Sequence, residues 1–289
     1  MTTKYSITDE NEGLEIARYL KSLGYSRSII TSLKQGERLL LNGVKARTVD
    51  ILHSGDTLTV TVADETEIIP NPSLFVPVSY EDDDIVVFDK PCDMAVHPSL
   101  RHYDDTIANY FACRYPDTTF RSISRLDRNT SGLVMVAKNK LAAAILSGNP
   151  DMRPKKLYYA VVAGDISHEY GCCGEIIAPI ARESESIITR RVSPEGKHAH
   201  TVFKVIKCSD KMSFLEISLV TGRTHQIRVH FSHIGYPLMG DDLYGGSREL
   251  IMRHALHCGE MRFIHPITKD KIAVTSEIPE DMKRLTEMI

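Results

Sequence analysis

In the stretch SISRLDRNTSGL, residues 122–133, a single carboxylate, Asp127, sits between two guanidiniums, Arg125 and Arg128. Cationic neighbours favour the ionised form, so Asp127 could act as a nucleophile or a base, although the same grouping could also close a surface turn. A second stretch, LVTGRTHQIRVHFSHIG, residues 219–235, gathers donors: Arg223, Thr224, His225, Gln226 and Arg228. Ile227, Phe231 and Ile234 recur at i, i+4 and i+7, which predicts a helix with Thr221 as its cap and Gly235 at its end. On that helix Thr224 and Arg228 fall one turn apart, away from the apolar stripe. A donor-rich helix start facing a lone carboxylate would handle an anionic substrate.

Other chemistries find less support. Glycoside hydrolysis needs two placed carboxylates, and the segment around Asp127 supplies one. His225, His230 and His233 are close in sequence, but neither an H-E-x-x-H motif nor a ligating acid accompanies them. His225 is expected to make a structural or substrate-facing hydrogen bond. His97 and His265, each followed by proline, read as turn residues. The six cysteines include no C-x-x-C pair, so they are expected to be buried free thiols rather than zinc ligands. No cofactor and no metal is expected.

These residues need a scaffold. RLDRNTSG is polar, ends in glycine and precedes the apolar run LVMVAK, which predicts a loop held by a strand. Further strands are expected at DIVVFDKP, LYYAVVAG, HTVFKVI and FLEISLV, and helices at KLAAAILSG, THQIRVHFSHIG and PEDMKRLTEM. Strands and helices intermix without a repeating βαβ unit, which argues for an α+β fold with a mixed sheet.

Residues 1–65 read as a separate small α+β module. GLEIARYLKSLG and SRSIITSLKQG suit two helices, with Ser26 as an N-cap and Gly24 and Gly36 as stops. RLLLNGVKA places Asn42-Gly43 between apolar residues as a hairpin turn, and DTLTVTV alternates as a strand. Residues 66–80, with Pro70, Pro72 and Pro77, read as a linker without regular ladders, leaving 81–289 as the larger domain.

Charge is patterned. The net value is −3, yet residues 18–47 carry seven bases, Lys34 and Arg38 among them, against one acid. Residues 64–89 carry eight acids and no base, and residues 121–156 eight bases against two acids. Two basic tracts around an acidic one suit phosphate contacts. The start has no signal-peptide pattern, and apolar runs such as Leu39–Leu41 are far too short for a membrane span, so a cytoplasmic, soluble, monomeric protein is expected.

SRLDRNTSGLVMVAKN, KKLYYAVVAG, KHAHTVFKV, LVTGRTHQIRVHFSHIGYPLMGDDLYG, DKPCDMAVHPS and RHALHC together resemble the RluA-type pseudouridine synthases, in the family's order, over about residues 80–270. SRSIITSLKQG and LLLNGVKA resemble the small RNA-binding module first described in a ribosomal protein, a fusion that occurs in that family. The resemblance implies isomerisation of uridines in rRNA or tRNA. It implies that Asp127 is the catalytic aspartate, Arg125 enters the RNA as the base is extruded, Tyr158 stacks on the flipped uracil, and Arg228 pairs with Asp127. Arg128, Thr130, Arg223, Thr224, His225, Gln226, Lys34 and Arg38 are the expected RNA contacts. Ser124 and Asn129 stand where the family often has His and an acid, and DKPCDM lacks a glycine common after its proline. A non-catalytic RNA-binding assembly factor with the same fold is the alternative reading.

Overall fold

The computed structural model describes residues 2–25, 27–33, 38–62, 68–99, 102–183 and 189–289. The chain folds as two compact units, Met1–Glu67 and Ile68–Ile289. Ser26, Lys34 and Gly36 lie outside the described residues.

In the first unit a four-stranded sheet runs in the order Thr2–Ser6, Thr57–Thr61, Leu39–Leu41, Val44–Lys45. Helices Ile16–Ser22 and Arg27–Ser32 accompany it. Asn42 and Gly43 take φ values of 53° and 81°, the paired left-handed conformation that a tight hairpin requires. Ile16, Leu20, Leu33, Leu39, Leu58 and Val60 form its own apolar cluster. The strand Thr2–Ser6 has no sequence signal, because TTKYS is polar on both faces and three of its five residues stay exposed.

The second unit is built on a ten-stranded sheet. Its main path is Cys173–Ile177, His200–Ser209, Met212–Leu219, Lys155–Ala163, Leu256–Ile264, Ser131–Ala137, Ile85–Lys90 and Val78–Glu81. Lys271–Thr275 and Arg121–Ser122 pair beside this path. Among its ladders only Leu256–Ile264 with Ser131–Ala137 is parallel, through His257 opposite Ser131 and Cys258 opposite Gly132. The loop carrying Asp127 leads straight into this join. Gly132 sits there at φ +105°, where a Cβ would lie 2.2 Å from the Cys258 carbonyl oxygen. Only glycine lets the two backbones approach so closely.

The sheet packs on a large core that includes Phe88, Phe111, Leu133, Leu215 and Phe231. The helix Ile107–Arg114 joins that core, started by a capping box of Thr106 and Asn109. The C-terminal helix Glu280–Glu287 buries Met282 and Leu285 against a second cluster with Val161, Phe214, Met239 and Ile251.

Three expectations need correction. Val78–Glu81 pairs with Ile85–Lys90 and Pro77 accepts a bond from the Asp89 amide at 2.8 Å, so the segment read as linker ends inside the sheet. Proline lacks a donor but keeps its carbonyl, and an edge strand tolerates it. Only Cys258 is a buried thiol; Cys113 is half-buried and the other four are exposed, though all six are free. Cysteine's preference for the interior is an average, overridden here by turns and an edge strand. The helix expected from Thr221 begins at Gln226, with His225 at its N-cap in the left-handed conformation, φ 58°.

Candidate active site

The turn after Asp127 is closed by the Thr130 amide bonding the Asp127 carbonyl at 3.1 Å. Beyond it, four consecutive residues are each held by a basic side chain from elsewhere. Lys90 Nζ donates to the Arg128 carbonyl at 2.8 Å, and to those of Pro91 and Met94 at the same distance. Arg253 Nη1 reaches the Asn129 carbonyl at 3.3 Å. Thr130 Oγ1 meets His254 Nε2 at 2.7 Å, and Ser131 Oγ meets His257 Nδ1 at 3.0 Å. The loop is polar and glycine-ended, yet its backbone is fixed.

Three carbonyls match the three N–H groups of an ammonium, although burial pushes the Lys90 pKa down to about 7. Burial, with Arg228 and Arg253 adding to it, holds His254 at about 2, so it stays a neutral ring.

The carboxylate of Asp127 remains about a quarter exposed. Its nearest cation is neither sequence neighbour. Arg125 is exposed, and Arg128 pairs with Asp93 at 2.8 Å. Arg228 Nη1 instead approaches Asp127 Oδ2 at 3.4 Å. Arg228 is buried and is bound chiefly to Asp241, through Nε–Oδ2 and Nη2–Oδ1 contacts of 2.7 Å each. Its guanidinium carbon lies 4.9 Å from the centroid of the Tyr244 ring. Burial, the largest single effect, works against the charge, but the fork to Asp241 with Asp127 and Tyr244 together raises the Arg228 pKa above the ordinary arginine value. Asp241 and Tyr244 were missed as partners, although both lie in the segment GDDLYG.

His225 flanks Asp127 on the other side, with Nε2 3.8 Å from Oδ2. Its Nδ1 is 2.8 Å from the Tyr244 hydroxyl, which already accepts the Arg190 amide at 3.0 Å. Where the Tyr244 hydroxyl donates to Nδ1, the proton of the neutral imidazole lies on Nε2, 3.8 Å from the carboxylate. Burial lowers the His225 pKa, with Arg228 and Arg190 acting in the same direction against Asp127.

Other sequence-predicted residues divide between surface and interior. Thr224 and Arg223 are exposed, the latter donating through Nε to the His198 carbonyl. Thr130 and Gln226 are interior. Gln226 receives Thr221 Oγ1 and the Arg223 amide on Oε1, and gives Nε2 to His200 O and Thr201 Oγ1. That use of its whole amide leaves nothing for RNA, and it also takes the Thr221 hydroxyl away from a capping role. Ser124 is likewise engaged, accepting the Met135 amide at 3.0 Å. Arg38 is half-buried in the small unit.

Tyr158 lies in the strand Lys155–Ala163 and is almost wholly buried, its pKa pushed by burial up to about 12. Lys156 Nζ lies 5.5 Å from its ring centroid.

Asp127, Arg128, His225, Arg228, Arg248 and His254 are among the residues lining a cleft of about 190 Å³. Four arginines, Arg128, Arg228, Arg248 and Arg253, line it together with two carboxylates, Asp127 and Asp242. A wider groove of about 520 Å³ adjoins it through Asn129, Arg248 and Arg253.

Away from the cleft, Asp82, Asp84 and His265 form a group with metal-like spacing. His265 Nδ1 accepts the amides of Ile267 and Thr268 at 3.3 and 3.0 Å. The proton of the neutral ring is therefore on Nε2, 2.9 Å from Asp82, and a protonated nitrogen is no ligand. The group closes a turn as a polar contact between side chains.

The fold matches solved pseudouridine synthase structures. Human RNA pseudouridylate synthase domain containing 1 superposes with a TM-score of 0.59 at 26% identity, covering 76% of this chain and 96% of its own. Human RNA pseudouridylate synthase domain containing 4 does so with 0.57 at 19% identity, covering 73% and 91%. The class is thus a pseudouridine synthase fold, with a cleft lined by arginines and carboxylates.

The family model for RNA pseudouridylate synthase matches residues 84–233. The uncharacterized RNA pseudouridine synthase YjbO of Bacillus subtilis is 38% identical over 94% of this chain and 98% of its own length. Ribosomal large subunit pseudouridine synthase D of Xanthomonas campestris is 34% identical over 90% and 84%, and that of Pseudomonas aeruginosa 34% over 92% and 88%. The chain belongs to the RNA pseudouridylate synthase family and is an RNA pseudouridine synthase, an isomerase. No described helix is long and apolar enough to cross a membrane.

Proposed function

We propose that Asp127 is the catalytic carboxylate and that the cleft beside it receives one uracil extruded from structured RNA. Uridine isomerisation breaks the bond from sugar C1′ to uracil N1 and joins C1′ to uracil C5. A proton leaves C5 and one is taken up at N1, so the reaction is redox-neutral. The observation that carries the reading is a partly exposed carboxylate, on a clamped loop, 3.4 Å from an arginine that a second aspartate holds. Because Asp241 fixes the guanidinium, Arg228 faces Asp127 without being drawn wholly onto it. Asp127 therefore stays available to attack the sugar or the ring, or to take a proton.

The cleft volume is below the roughly 300–1,000 Å³ of pockets that enclose drug-sized ligands, which suits a single base more than a whole nucleotide. Flipping costs a few kcal/mol, and stacking on an aromatic ring returns about 1–3 kcal/mol. Arg125, exposed two residues before Asp127, enters the space the base vacates. Tyr158 supplies the ring, in keeping with the family resemblance; it is almost wholly buried, with Lys156 Nζ 5.5 Å from its centroid as a cation–π partner.

The unit Met1–Glu67 acts as an RNA-binding module, its exposed Arg18, Lys21, Lys45 and Arg47 meeting phosphates. The substrate is ribosomal RNA, as the names of the large-subunit relatives indicate for those proteins. RNA labelled with tritium at uracil C5 tests the chemistry, since isomerisation releases that label to water. Release by the parent protein and none by Asp127→Asn is the expected result. Equal release by both would overturn the assignment.

A further inference from the structure

The C-terminal helix reaches the catalytic loop through a two-residue relay. Asp281, in its first turn, holds Arg253 through Nε–Oδ2 and Nη2–Oδ1 contacts of 2.7 and 2.9 Å. That fork uses one edge of the guanidinium and sets its plane. The remaining nitrogen, Nη1, is then aimed at three carbonyls: Asn129 at 3.3 Å, His254 at 3.3 Å and Leu256 at 3.2 Å. Asn129 is two residues beyond Asp127. His254 and Leu256 lead into the strand that pairs with the exit of the same loop. Arg253 is buried, so its orientation depends on the partner it finds inside the protein.

From this geometry we propose that Asp281 is a positioning residue for catalysis, acting through Arg253 on the Asp127 loop. The proposal rests on Asp127 being the catalytic carboxylate. Asp281 touches no reacting atom. It fixes the guanidinium whose free nitrogen restrains the carbonyl of Asn129, and the other restraints on the loop, Lys90 and His254, act on neighbouring positions. A contact of 3.3 Å is long for a hydrogen bond, so its loss costs little stability. A carboxylate that wanders by a fraction of an ångström costs rate instead. The helix itself is seated independently by Met282 and Leu285, so altering Asp281 leaves it docked.

The experiment compares the full chain with Asp281→Asn and Asp281→Glu at matched folded fraction, by tritium release and by amide exchange. Asp281→Asn should lower kcat about tenfold, with KM for RNA changing less than threefold, because the defect is in the reacting geometry. Exchange of the Thr130 amide, which bonds Asp127, should quicken, while amides in Gln226–His233 keep their protection. Asp281→Glu should recover most of the turnover. Unchanged kcat in Asp281→Asn, or a loss of kcat with unaltered exchange at Thr130, overturns the proposal. Should Asp127→Asn also retain full turnover, the assignment of Asp127 fails separately, and the exchange measurement still decides whether the relay holds the loop.

Discussion

Two aspartates approach one arginine here, and the geometry gives them opposite consequences when removed. Asp241 is fully buried and holds Arg228 by two contacts of 2.7 Å. Asp241→Ala leaves a buried guanidinium whose remaining carboxylate is at 3.4 Å, and breaking such a pair costs about 3–5 kcal/mol. In a unit of this size 1 kcal/mol shifts Tm by about 2–4 °C, so Asp241→Ala should lower it by roughly 6–20 °C. Asp127 is different. At 3.4 Å and an effective dielectric near 20 its bare attraction to Arg228 is of order 5 kcal/mol. Arg228 keeps Asp241, however, and the Asp127 side chain is about a quarter exposed to water, so the net loss in Asp127→Asn should be about 1 kcal/mol or less. Turnover should show the reverse, falling by at least ~10²–10⁴ when the acid–base group is removed. Thermal unfolding by circular dichroism and tritium release, on the same preparations, measure both. An Asp127→Asn protein destabilised as much as Asp241→Ala would show that Asp127 is a structural partner. One that keeps its turnover within tenfold would remove it from the chemistry.

Gly132→Ala places a Cβ 2.2 Å from the Cys258 carbonyl oxygen at a positive φ. It should destabilise the second unit by at least about 3 kcal/mol, read as a shifted urea midpoint; an unchanged midpoint would mean that the parallel join gives way easily. Burial lowers the pKa of His225, His230 and His257, and holds His254 at about 2. Below about pH 6.5 the unfolded chain takes up protons that these folded rings refuse, so stability should fall with acid, by up to about 1.4 kcal/mol per pH unit for each. Urea unfolding at pH 7.5, 6.5 and 5.5 would contradict this if the midpoints coincide. Deleting Met1–Glu67 should leave a cooperatively folding remainder that binds RNA more weakly and with a smaller salt dependence, because each unit has its own apolar cluster. A deletion protein with unaltered salt dependence would show that this unit makes no phosphate contacts.

How much of the site was legible follows from which contacts are local. RLDRNTSG reads as a loop because its polarity and glycine are properties of eight adjacent residues, and LVMVAK reads as a strand for the same kind of reason. Asn42-Gly43 announces its own turn. Helix boundaries were less secure: Thr221 looks like a cap, yet its hydroxyl is drawn to Gln226, and the helix begins five residues later. Local chemistry offers the cap, and a neighbouring strand through His200 and Thr201 claims it. Thr2–Ser6 carries no pattern at all, since it becomes a strand only because Thr57–Thr61 presents an open edge.

The sequence by itself determined that one aspartate stands among arginines, in a loop before a buried strand, with a donor-rich helix further along, and that these segments occur in the order of a known family. It could not say which guanidinium meets that aspartate. The adjacent ones turn away, Arg128 to Asp93 and Arg125 to solvent, while Arg228 arrives from 101 residues along the chain, already gripped by Asp241. Lys90, Arg253, His254 and His257 look like scattered bases until Ile85–Lys90, antiparallel, and Leu256–Ile264, parallel, both pair with Ser131–Ala137 and gather them around four consecutive residues. Side-chain type is a local property and survives in one dimension. Orientation, burial and competition for a partner depend on long-range packing, and only the folded chain decides them.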